Sequence, residues 1–190
     1  MILVIDTSSV RAGMAVIRPD FSIAADMNGP VKQVHLAAQY RAFQHHAPFS
    51  KIAVAVGPGS FTGTRAGASF GLGVAIGLGV PIVPLGSLAI QAARSDQPAV
   101  AVSDAGRGRV YYLTPEGSKG LAEPAEVLRG LPLVGWLRAE TVDALVAAGH
   151  QMVPKVHGFA WGASRVLRTA KEVAYGSLKI DYMQSFSTRS

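Results

Sequence analysis

"AVAVGPGSFTGTRAG", residues 53–67, decides how the rest of this chain is read. Five apolar residues, 52–56, enter a turn holding two glycines and a proline, and the chain then runs from Arg65 to Arg94 without a charge. A strand that is apolar on both faces is buried on both faces, as in a parallel sheet. A strand, a glycine turn and a long apolar segment therefore predict a βα unit with a helix over 62–79, stopped by Gly79 and Pro81.

The turn invites a phosphate, but its spacing fits no known cradle. A Walker loop needs Gly-Lys-Ser/Thr, and here Gly63 is followed by Thr64 and Arg65. The dinucleotide fingerprint needs a third glycine where Thr62 stands. Two readings remain. The helix N-terminus offers backbone N–H groups to an anion, or Gly57-Pro58-Gly59 makes a tight turn and Ser60 or Thr62 caps the helix.

Within the helix, Gly63, Gly67, Gly71, Ala75 and Gly79 recur every four residues, and Gly73 and Gly77 add to them. An interior glycine costs about 0.5–1 kcal/mol relative to alanine, so close approach by a neighbour must compensate. Phe70, Leu72, Val74, Ile76 and Leu78 leave no polar face, and a helix apolar all round is buried. Either the segments 31–45 and 87–94 cover it, or part of it is a protein–protein surface. The small-residue row is read as the groove for a partner helix. On that reading, a bulky residue at Gly67 or Gly71 blocks docking while the chain stays folded.

Working outward, "ILVI" (2–5) and "MAVI" (14–17) flank a polar turn and predict a hairpin, with "FSIAAD" (21–26) a third strand. Residues 31–45 carry apolar positions at helical spacing. "PIVPL" reads as a strand and 87–94 as a helix with Ser87 at its N-cap. "VAVSDAGRGRVYYL" (100–113) then repeats the pattern of residues 2–17, with Asp104 standing 98 positions after Asp6. Two similar α/β lobes follow, 1–96 and 97–190, with mixed sheets. The second is reduced, with one or two helical turns at 124–130, a strand in "LPLVGW", and helices over 139–149 and 162–176.

The formal charge is +6, and residues 150–190 hold six basic side chains against Glu172 and Asp181. No aromatic interleaving accompanies that charge, so it reads as a solvated surface rather than an RNA-binding face. Cysteine is absent, which removes disulfides, thiolate metal sites and thiol nucleophiles. Positions 66–80 give an uncharged helix shorter than the roughly 20 residues of a bilayer span. With no signal-peptide pattern at the N-terminus, a cytoplasmic protein without a membrane segment is expected.

For catalysis, Asp6 and Asp104 would have to grip Mg²⁺ and nucleotide from facing strand ends. The alternative is that each caps a turn after its strand. His35, His45, His46, His150 and His157 include no His-x-x-x-His pair, so no metal site is read. Ser60 has no identifiable histidine base.

"ILVIDTSS", "AVGPGSFTGTRAGASFGLGVA", "PLGSLAIQAA" and "SDAGRGRVYY", in this order, resemble successive motifs of the TsaB family, the bacterial tRNA threonylcarbamoyladenosine biosynthesis proteins. "IDYMQSF" (180–186) resembles the family's closing motif. The resemblance implies an actin/sugar-kinase-like fold of two ribonuclease H-like lobes. It implies a non-catalytic partner of TsaD, which transfers threonylcarbamoyl to N6 of adenosine 37 in tRNAs reading ANN codons. The ATPase TsaE joins that complex, and a homodimer forms in isolation. It places partner contacts on the helices at 31–45 and 62–79, here His35, Gly63, Gly67, Phe70, Gly71 and Val74. Asp6, Thr7, Ser8, Gly59, Ser60 and Asp104 are the candidates for an anion or nucleotide, with ATP and Mg²⁺ expected only in the complex and tRNA contact indirect or weak. The sequence departs from the family at Gly106 and Arg109, where Arg and Glu are usual, and in its short first helix and second lobe. The alternative function is an ATP-dependent phosphotransferase or ATPase of the same fold.

Overall fold

A computed structural model describes residues 1–183; the closing motif read at 180–186 lies partly outside them. The opening segment forms an antiparallel meander of β1 (Ile2–Asp6), β2 (Arg11–Ile17) and β3 (Ile23–Pro30). After α1 (Leu36–Phe43), β4 (Lys51–Ala55) lies parallel to β1, with Val4 beside Ala53. Then α2 (Phe61–Leu78) crosses to β5 (Ile82–Leu85), parallel to β4. The sheet order is β3-β2-β1-β4-β5.

Both faces of this sheet are covered, which is why β1 from Ile2 to Ile5 and β4 from Ile52 to Ala55 are apolar on both sides. Leu3, Ile5, Ile52 and Val54 meet α1 and α2 on one side. Val4, Ala15, Ala53 and Val83 meet α3 (Ser87–Ala92) and α5 (Phe159–Leu167) on the other. Each buried Leu or Ile contributes about 1.5–3 kcal/mol.

The pattern then repeats. β6 (Val100–Gly106), β7 (Arg109–Leu113) and β8 (Lys119–Ala122) form a second meander, and β9 (Leu133–Val134) lies parallel to β6, giving the order β8-β7-β6-β9. Next comes α4 (Ala139–Ala147). Where a fifth strand would stand, one parallel bridge joins Leu133 to Met152. The internal repeat read from Asp6 and Asp104 is therefore present, and the shortening of the second unit falls at its fourth and fifth strands.

α3 joins the two sheets: Ile90 faces the first, while Leu88 packs with Ala101, Tyr111 and Val134 of the second. Trp136 stacks on Phe159 at 5.8 Å and lies under the Arg94 guanidinium at 4.8 Å. Burial, and then Arg11, lower the Arg94 pKa, with Asp26 opposing. Past α5 the chain returns to the first sheet, where Val173 bridges Ile82 and the Tyr175 hydroxyl donates to the Val80 carbonyl at 2.8 Å.

Several expectations need correction. Residues 31–45 are not one helix: β3 extends to Pro30, Val31–Gln33 make a single 3-10 turn, and α1 begins at Leu36. Ser87 does not cap α3; Gly86 holds that position, and the Ser87 hydroxyl accepts the Gly57 N–H at 3.1 Å. The helix expected over 162–176 spans Phe159–Leu167, because Gly162 is no breaker. A Cβ there would run into the Ile90 carbonyl, so Gly162 seats α5 on α3.

Candidate functional site

Two surfaces meet on α2. Its N-terminus borders a cleft between the lobes, and its outer face carries a shallow apolar groove.

At the cleft, the loop after β1 and the turn before α2 are fastened to each other. Ser8 N–H donates to Asp6 Oδ1 at 2.8 Å. Ser60 N–H donates to the Ser8 carbonyl at 2.7 Å. The Thr7 hydroxyl donates to the Gly63 carbonyl at 2.6 Å. A Cβ on Gly59 would strike the Ser8 carbonyl, and one on Gly63 the Thr7 carbonyl. The Ser60 hydroxyl caps α2 by accepting the Gly63 N–H at 3.2 Å.

Of the two strand-end carboxylates, Asp104 has both oxygens bonded and Asp6 has one. Asp6 is buried, its Oδ2 has no partner, and desolvation raises its pKa despite the Ser8 bonds. Asp104 accepts the Arg138 N–H at 3.1 Å and the Thr141 hydroxyl at 2.5 Å, so it holds the start of α4. A Mg²⁺ ion needs several ionised oxygens free to turn toward it. Neither aspartate offers that donor set. Among the described residues no cluster of three or more His, Asp or Glu could hold a metal.

The cleft measures about 870 Å³. Besides the expected Ser8, Gly59, Ser60 and Asp104, it is lined by Thr64, Arg138 and Tyr182, which the sequence did not single out. Thr64 is buried and its hydroxyl has no partner.

The outer groove differs from the sequence reading in one decisive respect. Gly63, Gly67 and Gly71 face inward. A Cβ on Gly67 would strike the Thr7 hydroxyl, and one on Gly71 the Val54 side chain. The four-residue row is thus where α2 settles onto its own β1 and β4, not where a partner enters. The open row is the other one. Gly73 and Gly77 have nothing within 4 Å of a built Cβ. With Tyr40, Phe70, Val74 and Leu78 they line a depression of about 390 Å³. Ile76 and Leu78 are 54% and 46% exposed. Phe70 and Val74 thus stand on the expected surface, Gly63, Gly67 and Gly71 do not, and His35 is exposed at the position before α1 with no capping bond. The signal for Gly73 and Gly77 was present as a second i, i+4 pair.

A meander, a parallel βα crossover and the same order again, with a cleft between, define the actin and sugar-kinase class of two ribonuclease H-like lobes. Comparison with known proteins agrees. The chain is 34% identical over 147 residues to tRNA threonylcarbamoyladenosine biosynthesis protein TsaB of Bacillus subtilis (strain 168), covering 72% of this chain and 64% of that protein. Residues 42–123 match the family model described as TsaD: tRNA N6-adenosine threonylcarbamoyltransferase. A structure from Pseudomonas aeruginosa, described as an uncharacterized protein with similarity to peptidase YEAZ, gives a TM-score of 0.73 at 21% identity over 96% of this chain and 99% of that one. YeaZ from Pseudomonas aeruginosa gives 0.68 at 19% identity over 95% and 98%. The chain is a relative of the TsaB proteins, as its motifs indicate, and it spans just under two thirds of the curated relative's length.

Proposed function

We infer that this chain is a non-catalytic subunit of the machinery that forms N6-threonylcarbamoyladenosine at position 37 of tRNAs reading ANN codons. It docks a TsaD homologue through the outer face of α2 and the neighbouring α1. The observation that carries the reading is the groove along Gly73 and Gly77. Two exposed glycines in a helix that already lacks propensity are costly unless a ridge from another chain fills the space. The welded strand-end loops support the non-catalytic role, as do Asp104, whose two oxygens both hold the start of α4, and Asp6, which is buried beside its own Ser8 loop. TsaE joins through the complex, tRNA contact is indirect, and the work is done in the cytoplasm. Alone, the same face takes a second copy.

Gly77→Leu tests this. A Cβ at this position meets none of the chain's own atoms within 4 Å, and Gly77 lines the groove. Affinity for the TsaD homologue of the same genome, read by co-purification, is expected to fall by a factor of roughly 5 to 150 while the melting temperature holds, as overpacking of about 1–3 kcal/mol at a contact implies. Undiminished co-purification would overturn the docking face. Micromolar Mg-ATP binding with turnover by the chain alone, read by calorimetry, would favour the phosphotransferase or ATPase instead.

A further inference from the structure

The segment Leu178–Met183 has no regular secondary structure, yet its residues belong to both lobes in turn. Leu178 and Ile180 pack against the first sheet's core. Asp181 N–H donates to the Val56 carbonyl at 2.8 Å, just past the end of β4. The Tyr182 hydroxyl accepts from Arg65 Nε at 2.7 Å, and its ring lies 5.8 Å from Phe61. Arg65 also stacks over Phe61 at 3.7 Å. The chain then reaches across. Asp181 Oδ2 pairs with Lys119 Nζ on β8 at 2.8 Å, and Met183 packs with the second-lobe cluster around Tyr111 and Val134. Ile180, Asp181 and Tyr182 line the cleft itself.

We propose that Ile180–Met183 is a clasp that sets the angle between the lobes and holds the cleft at its present width. α5, Val173 and Tyr175 return the chain to the first sheet, and the bridges described from there to the second sheet run through α3 and Trp136, which form a hinge. A hinge alone leaves one rotational freedom, and the clasp removes it. Its contacts are an exposed ion pair, two hydrogen bonds, the Arg65 guanidinium 5.5 Å from the Tyr182 ring and the packing of Met183, each weak singly. The clasp therefore opens reversibly and responds to salt. The Arg65 and Phe61 side chains that receive it stand on the first two turns of α2, so opening the clasp uncovers the start of the helix whose outer face bears the groove.

The chain has no cysteine, so spin labels can be placed without interference. Asp20→Cys and Asp143→Cys put one label on each lobe at exposed positions. Pulsed dipolar spectroscopy on this labelled parent should give one distance population. Adding Asp181→Asn and Tyr182→Phe together should raise a second, longer population from undetectable to roughly a tenth of the molecules or more. High salt should move the parent the same way. If the double variant keeps the parent's distribution while its circular dichroism is unchanged, the clasp does not set the lobe angle. If the double variant loses its fold, Tyr182→Phe alone, which removes one hydroxyl, is judged by the same criterion.

Discussion

The first lobe ends β1 at Asp6, and the second carries Asp104 near the end of the equivalent β6. The strands around them match in order and direction, yet the two carboxylates have opposite surroundings. Asp6 is sealed beside the loop between β1 and β2, which is fastened to the turn before α2, with one Asp6 oxygen bonded to Ser8 and the other alone. Asp104 is half-exposed, and both its oxygens are used to start α4. The helices differ to match. α2 buries Thr64, Gly67, Ala68, Gly71 and Ala75, whereas α4 buries Leu145 alone. Duplicated topology does not carry duplicated chemistry. One aspartate became a desolvated stub beneath a tightly seated helix, and the other a cap on a loosely seated one.

The largest test of that contrast lies on the helices. Gly71→Leu drives a side chain into Val54 and should cost about 3 kcal/mol or more, the upper range of overpacking. Ala144→Leu, exposed on α4, should stay within about 0.5 kcal/mol. Thermal unfolding of both variants decides whether the lobes differ in this way. Next, Asp104→Ala removes the side-chain acceptors at the start of α4 and should cost about 1 kcal/mol, a fall of roughly 2–4 °C in a chain of this size. Equal losses at Asp104→Ala and Asp6→Ala would erase the distinction.

The smallest effect concerns pH. The folded-state pKa of Asp6 is raised by burial, so above the unfolded carboxyl value of about 4 the native state holds the proton that the unfolded chain releases. Stability therefore falls as pH rises from there toward the folded-state value. Asp6→Asn should abolish this slope, so its stability relative to the parent should climb with pH in denaturant titrations. A constant difference between the two from pH 4 to pH 8 would mean that Asp6 is solvated after all.

Much of this was legible in the residues. The alternating apolar runs, Gly79 as a stop and the Asp6–Asp104 repeat give both sheets because burial on two faces leaves a continuous apolar signature. The direction of the glycine row was not legible. In a helix apolar all round, Gly67–Gly71 and Gly73–Gly77 look alike, and only the packed sheet shows which pair it uses. β8 escaped because "KGLA" has little strand character and is held by its register with β7. The path after α5 escaped because it depends on single long-range contacts such as Tyr175 with Val80. The clasp residues fell within a motif read only by resemblance, and nothing local in "IDYM" announces that they join two lobes.

Phe159 sits directly over Gly13, where any Cβ would strike its ring. The aromatic plug for the hairpin made first thus arrives nearly 150 residues later, once synthesis has passed through the whole second sheet. Until α5 emerges, the face bearing Val4, Ala15 and Ala53 stands partly open on the nascent chain. The opening half is therefore the earliest to be translated and among the last to be finished, a dependence that ties the two gene halves together more firmly than their separate sheets suggest.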